Sequence, residues 1–360
     1  MGAWSSRPES PVDTNLDIEQ PGVLNAWLHA HDLIAATEEP ECTVLPGGVS
    51  NRTVLVDRSP QTSWVVKQAL AKLRVKVDWF SSPERIHREA DGLRWLVDMA
   101  PAGSITPLVF EDHTDHIIGM DAVPFPHENW KTMLLRGEIE PGHIDQFSAI
   151  GATIHARSAQ RIEELRPIFG DRGFFQSLRV EPYYAYTATQ VPEAADFYAA
   201  LIADMAARQE TLVHGDFSPK NVLVHEGKLV LLDHEVCHLG DPGFDLGFAM
   251  THLLSKAAHM PASRAAFEEG TLRFWETYRT TAMEAGVGNW HLNLEPRAVR
   301  HTLGCLLARV RGRSPLEYLD EQERDRQATV VTRLMAAPPE SVEDLVFFFL
   351  VGIKNEESRG

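Results

Sequence analysis

The chain has 360 residues, 44% of them hydrophobic and 24% charged, and its formal net charge is −17. This length allows two domains or one large domain with a deep cleft, and the acidic balance argues against binding nucleic acid through a basic face. Cys42, Cys237 and Cys305 are far apart, and no apolar run approaches the ~20 residues of a membrane span. The sequence therefore predicts a cytoplasmic protein without a disulfide framework and without a nucleic-acid or membrane partner. The net charge leaves an acidic pocket for a polycationic substrate open.

The N-terminal third is predicted to be rich in β-strands. Residues 1–21 are polar and contain three prolines, which indicates a loose leader, and apolar spacing predicts a helix over 22–37. The stretch CTVLPGGVSNRTVLVD (42–57) indicates a hairpin, because two β-branched runs flank a turn with Gly and Asn. SWVVKQA (63–69) is a third predicted strand.

One helix and two more strands complete this region. Ser82 followed by proline predicts a helix start, and the helix runs to about Met99. PLVFED and HIIGMDAV then indicate a strand pair, and the rest is mostly helical apart from VHGDFSPKNVLV and KLVLLDHEV. The predicted fold class is α+β with two lobes: a small β-rich N-lobe at 22–122 and a larger, mostly helical C-lobe at 123–360. A ligand cleft is expected between them.

Two candidate functional features lie in the β-rich region. In LPGGVSN (45–51), Gly47 and Gly48 would let backbone N–H groups and the Ser50 hydroxyl approach phosphate oxygens, although an ordinary hairpin turn is the alternative. Lys67 lies in the middle of the apolar strand WVVKQA, where it could extend into solvent unless a partner holds it.

The following helix offers such a partner in Glu89. This acid lies within a predicted apolar stripe formed by Ile86, Ala90, Leu93 and Val97. Burying an unpaired carboxylate is costly, and an ion pair between Lys67 and Glu89 would remove that cost.

The fourth feature is an acidic cluster that begins in HGDFSPKN. Asp216 and Asn221 lie in this loop, and the strand LVLLDHEV ends in Asp233 and Glu235. Oxygen ligands from Asn221, Asp233 and Glu235 would suit Mg²⁺. Asp216 would remain free to take a proton from an incoming hydroxyl. A surface turn is the alternative, because Asp, Ser, Pro and Asn all favour turns.

The four features follow one another in the order of the parts of a protein kinase: Gly loop, strand Lys with helix Glu, Asp-x-x-x-x-Asn, metal-binding Asp. This order indicates phosphoryl transfer. A protein kinase is disfavoured, because His214-Gly215-Asp216 replaces His-Arg-Asp and neither Asp-Phe-Gly nor Ala-Pro-Glu follows.

HGDxxxxN followed by a strand that ends in Asp resembles the aminoglycoside phosphotransferase and choline kinase family, over most of residues 40–255. Within that family, KQALAKLRVKVDWFSSPERIHREADGLRWL and HIIGMDAVPFPH are most similar to methylthioribose kinases. The resemblance implies a protein-kinase-like fold, ATP and Mg²⁺ as cofactors, and a hydroxyl of a small molecule, of sugar, nucleoside or antibiotic type, as phosphate acceptor.

The resemblance also implies roles for single residues. The ATP-binding set would be Gly47, Gly48, Ser50, Lys67 held by Glu89, and the hinge residues Asp121 and Val123. Asp216 would be the catalytic base or hydroxyl positioner. Asn221 and Asp233 would be Mg²⁺ ligands, with Glu235 as a further one.

Seven further residues have other expected roles. His214 would anchor the loop, Asp245 would brace it by bonding its backbone, and Asp241 would be a turn residue. Lys220 could reach phosphate or be a solvated loop lysine. Arg309, like Arg311 and Arg313, could bind an anionic substrate or belong to an exposed helix end before a capping box at Ser314–Glu317.

The sequence therefore predicts an ATP-dependent kinase that phosphorylates a small-molecule hydroxyl. The alternatives are a catalytically inactive nucleotide-binding pseudokinase and a methylthioribose kinase proper. A pseudokinase usually lacks the Lys, the base or the metal Asp, and here Lys67, Asp216 and Asp233 are all present.

Overall fold

The computed structural model describes residues 16–46, 48–74, 80–285 and 291–359. Gly47 and the first fifteen residues of the predicted leader lie outside the described residues. The chain divides into two compact units. The first comprises Met1–Ile86 and Val109–Ala122, and the second comprises His87–Leu108 and Val123–Gly360.

The first unit is built on a five-stranded sheet with the strand order β1-β2-β3-β5-β4. The strands are β1 (Glu41–Val44), β2 (Asn51–Asp57), β3 (Trp64–Ala69), β4 (Leu108–Asp112) and β5 (Ile117–Asp121). β2 pairs antiparallel with both β1 and β3, and β3 pairs antiparallel with β5. The predicted hairpin, third strand and strand pair are therefore confirmed.

A helix covers one face of this sheet. Helix α1 (Val23–Ala30) buries Leu24, Trp27 and Leu28 in a core shared with Trp64, Val66 and neighbouring sheet residues. Because side chains alternate along a strand, Lys67 lies on the opposite face from Trp64 and Val66, and it is half-buried. The prediction that α1 continues to residue 37 is wrong. The backbone is left-handed at Asp32 (φ 54°), which ends the helix.

Helix α2 (Arg85–Met99) follows the predicted start at Ser82, whose hydroxyl accepts a hydrogen bond from the Glu84 N–H at 3.3 Å. The predicted apolar stripe is correct over its first three turns but wrong at Val97, which is 41% exposed. Leu96 and Met99 are buried there instead. Helical spacing shows which residues share a face, but not where the neighbouring element that covers the face ends.

The second unit is mostly helical, with small antiparallel sheets ordered β10-β7 and β6-β8-β9. Its strands are β6 (His127–Asn129), β7 (Thr211–Val213), β8 (Val222–His225), β9 (Lys228–Leu231) and β10 (His238–Gly240). Its helices are α3 (Trp130–Leu135), α4 (Pro141–Ala159), α5 (Ile162–Phe169), α6 (Gly173–Phe175), α7 (Tyr186–Gln190), α8 (Ala195–Ala206), α9 (Gly243–His259), α10 (Arg264–Glu284), α11 (Leu294–Arg311), α12 (Glu321–Ala336) and α13 (Val342–Glu357). A π-helical segment, Gln176–Ala185, joins α6 to α7.

The centre of this unit is helix α9, whose residues are buried from Gly243 to Ala258. It packs against α11 at a very short distance. A Cβ atom on Gly247 would lie 2.5 Å from the Cβ of His301, so only glycine allows this approach. The two helices therefore form one rigid support for the loops beside them.

One expectation for the C-terminal part needs correction. The predicted capping box at Ser314–Glu317 is wrong, because the residues after α11 form turns; the capping box joins Asp320 and Glu323 at the start of α12. The run LVFFFLV (345–351) lies in α13 and is only partly buried, since Phe347 and Phe348 are 54% and 47% exposed. Within the described ranges, no helix combines the length and the apolarity needed to cross a membrane.

Candidate active site

The loop 214–221 connects β7 to β8, and its shape depends on Gly215. This residue has a φ of 77°, a left-handed value that favours glycine. A Cβ atom added there would lie 2.9 Å from Val236 Cγ2 and 3.0 Å from its carbonyl oxygen. Conformation and space therefore both require glycine beside Asp216.

Asp245, in the first turn of α9, holds the start of this loop. Its Oδ2 accepts a hydrogen bond from the His214 N–H at 2.7 Å, and its Oδ1 accepts one from the Gly215 N–H at 2.8 Å. His155 on α4 lies 3.2 Å from Oδ2 and meets the Tyr278 hydroxyl with its other ring nitrogen at 2.6 Å. The expectation that Asp245 braces the loop through its backbone is confirmed.

His214 fixes the next residue of the loop. Its ring Nδ1 accepts a hydrogen bond from the Asp216 N–H at 3.2 Å. Burial lowers the pKa of this imidazole more than nearby carboxylates raise it, which favours the neutral ring that can accept this bond. His214 is thus an anchor for the loop, as expected from the sequence.

The two carboxylate oxygens of Asp216 have different surroundings. Oδ2 lies 2.9 Å from an Arg179 nitrogen and 2.9 Å from Lys220 Nζ, and it accepts a hydrogen bond from Asn221 Nδ2 at 2.8 Å. Oδ1 is buried and has no hydrogen-bond partner within the described part of the chain. Burial would raise the pKa of Asp216, but the charges of Arg179 and Lys220 outweigh it and hold the pKa far below its usual range. Asp216 is therefore ionised, with one oxygen left to accept a hydrogen bond.

Asn221 is oriented by Asp216. Its Nδ2 donates to both the backbone oxygen and Oδ2 of Asp216, at 3.0 and 2.8 Å. Since both partners only accept, the amide nitrogen must face Asp216, and Asn221 Oδ1 faces elsewhere. Asn221 is also tied to β9, because its carbonyl accepts from the Leu232 N–H at 2.8 Å, one residue before Asp233.

Asp233 and Glu235 follow β9, as expected of carboxylates at a strand end. Asp233 is half-buried with a φ of 69°, and Glu235 is 6% exposed. Burial lowers the pKa of Arg179, but the charges of Asp216, Tyr183, Glu235 and Asp233 together raise it above its ordinary value. Asp233, Glu235 and Asn221 Oδ1 are hard oxygen donors of the kind that Mg²⁺ prefers, and their binding of such an ion stays a prediction.

The sequence did not single out Arg179, yet this residue is central. It lies in the π-helical segment, is 8% exposed, and donates from Nε to the Gly215 carbonyl at 2.9 Å in addition to its pairing with Asp216. SLRVEPYYAY has no motif that would have revealed it. Lys220 is not simply a solvated loop lysine: its side chain is 45% exposed, but its amine lies 2.9 Å from Asp216 Oδ2.

The residues that are predicted to bind the nucleotide lie in both units. Gly48 and Ser50 lie between β1 and β2, Lys67 is opposite Thr53 and Ile118 in the sheet, and Asp121 ends β5.

Glu89 is fully buried in α2, and Val123 begins the second stretch of the second unit. Glu89 and Lys67 belong to different units, and their pairing stays a prediction.

Among the remaining candidate residues, Asp241 has a structural role, whereas Arg311 and Arg313 form ion pairs with other side chains. Asp241 opens α9 by accepting from the Gly243 N–H at 2.8 Å, and Arg297 pairs with it at 2.8 Å. Burial would raise the pKa of Asp241, but His301 and Arg297 lower it to about 2, as expected for a structural residue. Arg311 pairs with Asp325, and Arg313 pairs with Glu181.

The comparisons with known proteins identify the family of the chain. The sequence profile of the phosphotransferase enzyme family matches residues 41–284, about two thirds of the chain. The chain belongs to this family. The family resemblance stated from the sequence is thereby confirmed.

Among curated proteins, this phosphotransferase family member is similar to methylthioribose kinases. The protein from Pectobacterium atrosepticum is 26% identical over 254 residues, which cover 60% of each chain. The protein from Bacillus velezensis is 29% identical over 113 residues, which cover 31% of this chain and 28% of that protein. The chain thus spans about 60% or less of the length of these relatives.

Among solved structures, an amicoumacin kinase in complex with AMP-PNP, Ca²⁺ and Ami has a TM-score of 0.56 and 14% identity, over 89% of this chain and 96% of that one. At this identity the likeness shows the fold alone. The predicted fold class, a protein-kinase-like combination of a β-sheet N-terminal region and a helical C-terminal region, is confirmed.

Proposed function

We propose that this protein transfers the γ-phosphoryl group of ATP to a hydroxyl group of a small molecule. The observation that carries the proposal is Asp216. One of its oxygens is held by Arg179, Lys220 and Asn221, and the other is buried without a partner in the described residues. An acceptor hydroxyl would donate a hydrogen bond to this second oxygen of Asp216. A lone pair on the hydroxyl oxygen would then point away from the carboxylate and toward the γ-phosphorus.

Residues of the N-lobe, predicted over 22–122, would bind the nucleotide. Gly47, Gly48 and Ser50 would contact the phosphates, and Lys67, positioned by Glu89, would bind the α- and β-phosphates. The backbones of Asp121 and Val123, in the predicted hinge, would meet the adenine.

Asn221, Asp233 and Glu235 would hold a divalent cation, for which we propose Mg²⁺. When bound, such an ion neutralises the charge of the phosphate groups during transfer. The oxygen-only donor set supports this choice over a soft metal.

In the transfer, the acceptor oxygen forms a bond to the γ-phosphorus while the bond to the β,γ-bridging oxygen breaks, and the electron pair leaves with ADP. Asp216 accepts the hydrogen bond of the acceptor hydroxyl and so orients its lone pair. Because the pKa of Asp216 is held low, orientation is its main contribution, and the hydroxyl proton passes to its carboxylate only late, as the bond to phosphorus forms, and from there to solvent. Lys220, within 2.9 Å of Asp216, would balance charge on the transferred group.

The relatives support a kinase, since methylthioribose kinases and an amicoumacin kinase are among them. The acceptor is a separate question. Methylthioribose is one acceptor to test, because the matched relatives carry that name.

Replacing Asp216 by Asn tests the proposal. We expect kcat for phosphoryl transfer to fall by about 10²–10⁴-fold, because the amide cannot accept a proton and its NH₂ competes for the hydroxyl. Binding of Mg-ATP, measured by calorimetry, should stay within about threefold. Asp196→Asn, at an exposed position on α8, is the matched control and should leave both quantities unchanged.

Two results would contradict the proposal. Unchanged turnover in Asp216→Asn would remove Asp216 from the mechanism. A wild-type protein that binds Mg-ATP but transfers phosphate to none of a broad panel of sugars, nucleosides and antibiotics would instead be the pseudokinase alternative.

A further inference from the structure

The second unit contains a buried group of cations beside Asp216 that phosphoryl transfer itself does not require. The two cations are Lys256 on α9 and Arg309 on α11. Tyr183, His252 and Tyr318 lie around them. We refer to these five residues as the cationic pocket.

Lys256 is fully buried, but no carboxylate of the described residues lies within salt-bridge distance of it. Its Nζ donates to the His252 carbonyl at 3.2 Å and lies 5.2 Å from the centre of the Tyr318 ring. The Tyr318 hydroxyl and His252 Nε2 are themselves buried without hydrogen-bond partners in the part of the chain described. A buried ammonium ion surrounded by unused polar atoms is costly unless an anion joins it.

Arg309 is 7% exposed and likewise has no carboxylate partner among the described residues. Its Nη1 donates to the Tyr183 hydroxyl at 3.0 Å and to Ser314, while its Nε is buried without a partner there. The prediction that Arg309 belongs to an exposed helix end is therefore wrong. The turn after α11 folds back so that Ser314 covers the guanidinium.

Tyr183 connects this pocket to the reacting centre. Its ring lies 5.6 Å from the Arg309 guanidinium carbon and 5.9 Å from that of Arg179, which binds Asp216. Phe248 also packs between Tyr183 and His252, with ring centres 5.8 and 5.2 Å apart. Within the cationic pocket, Tyr183 is thus separated from Asp216 by the side chain of Arg179.

Two of the cations in this region have no carboxylate partner among the described residues. Arg179 and Lys220 pair with Asp216, and Lys131 pairs with Glu317, whereas Lys256 and Arg309 form no such pair. Burial would raise the pKa of Tyr183, but the charges of Arg309 and Arg179 outweigh it, which indicates a positive potential at this ring.

We propose that the phosphate acceptor carries an anionic oxyacid group, a carboxylate or a phosphate, in addition to its hydroxyl, and that Lys256 and Arg309 bind this group. The inference rests on the proposed function and names the acceptor class of the same site. Arginine and lysine supply strong charge-assisted hydrogen bonds to such a group, and the Tyr318 hydroxyl is a further donor beside it.

The first test compares acceptors of related carbon skeleton with and without an anionic group. Glycerol, glycerate and glycerol 3-phosphate form one series, and ribose, ribonate and ribose 5-phosphate form another. We expect kcat/KM to be at least about tenfold higher for an anionic member than for its neutral parent. The anion with the higher kcat/KM then shows whether a carboxylate or a phosphate is preferred. Higher kcat/KM for neutral sugars or for amino sugars would overturn the inference and leave the proposed function intact.

The second test uses variants of the pocket. Lys256→Met keeps the length of the side chain and removes its charge, and it should raise KM for the anionic acceptor by about 10–100-fold. The neutral parent should change by less than about threefold, as should kcat. Lys354→Met, exposed on α13, is the matched control. An equal change for neutral and anionic acceptors would reduce Lys256 to a structural role and contradict the inference.

A binding measurement keeps the inference testable even if no acceptor in these series is phosphorylated. Inorganic phosphate is titrated calorimetrically into the protein, with and without saturating Mg-AMP-PNP. We expect binding that persists with the nucleotide and weakens at least about tenfold in Lys256→Met and in Arg309→Met. Absence of phosphate binding in the wild type overturns the inference, whereas failure of AMP-PNP to bind contradicts the proposed function separately.

Discussion

At the scale of single residues, Asp216 and Lys256 show how far a sequence motif reaches. The sequence identified Asp216 because HGDxxxxN is a local pattern, and the contacts of Asn221 with it lie within five positions. Lys256 has no motif, and its importance arises from Arg309 and Tyr318, more than fifty residues away. A lone lysine within the apolar run LLSKAA was the only signal available.

The pKa of Lys256 gives a prediction at this scale. Burial first, and then the charge of Lys131, lowers it to about 7, although Glu317 opposes the shift. The amine is charged below this pH and neutral above it, so affinity for a carboxylate acceptor should fall as pH rises from about 6 to 8.5. We expect KM for glycerate to increase about tenfold over this range, measured at constant ionic strength.

Lys256→Met serves as the control for this pH dependence. Its KM for glycerate should be high and nearly constant over the same range. A wild-type KM that does not change with pH would show that Lys256 does not meet the acceptor.

At the scale of secondary-structure elements, strands and turns were easier to predict than helix ends. The hairpin of β1 and β2 follows from alternation and turn residues that are close in sequence. The end of α1 before Asp32 and the exposure of Val97 were missed, and the capping box was predicted at Ser314 although Asp320 and Glu323 have the same local spacing. The π-helical segment that presents Arg179 has no sequence signal of its own.

The loop 214–221 gives a prediction at the element scale. Gly215→Ala and Gly227→Ala both place a Cβ on left-handed backbone, but only Gly215 meets a neighbour, Val236, at 2.9 Å; nothing lies within 4 Å at Gly227. We expect Gly227→Ala to lower the free energy of unfolding by about 1 kcal/mol and Gly215→Ala by about 2–4 kcal/mol. Urea unfolding at equilibrium measures both, and equal losses would show that Val236 yields without cost.

At the scale of the whole molecule, buried histidines make stability depend on pH. His238, in β10, is 2% exposed and stacks on Phe175 with ring centres 3.9 Å apart. Burial lowers its pKa from 6.5 to about 4, with Arg172 and Arg88 adding to the shift, although the Val236 carbonyl and Asp245 oppose it. The folded state therefore excludes a proton that the unfolded state binds.

The resulting prediction concerns acid stability. Between about pH 6.5 and pH 4 the unfolded chain binds more protons at His238, so the free energy of unfolding falls as the pH falls, by up to about 3 kcal/mol from this residue. His238→Gln should reduce this pH dependence relative to the wild type, as measured by urea unfolding at several pH values. His113→Gln, at a side chain 71% exposed, should not reduce it.

Helix α9 serves two purposes along its length. Asp245 in its first turn supports the loop 214–221, while His252 and Lys256, about 10 and 16 Å further along the axis, line the cationic pocket. Because these positions are separated along one helix, substitutions at 252 and 256 can change the preferred acceptor without altering the loop that contains Asp216. A laboratory evolution library that randomises 252, 256 and 309 and retains Asp245 would therefore be expected to yield active enzymes with new acceptors at a high frequency.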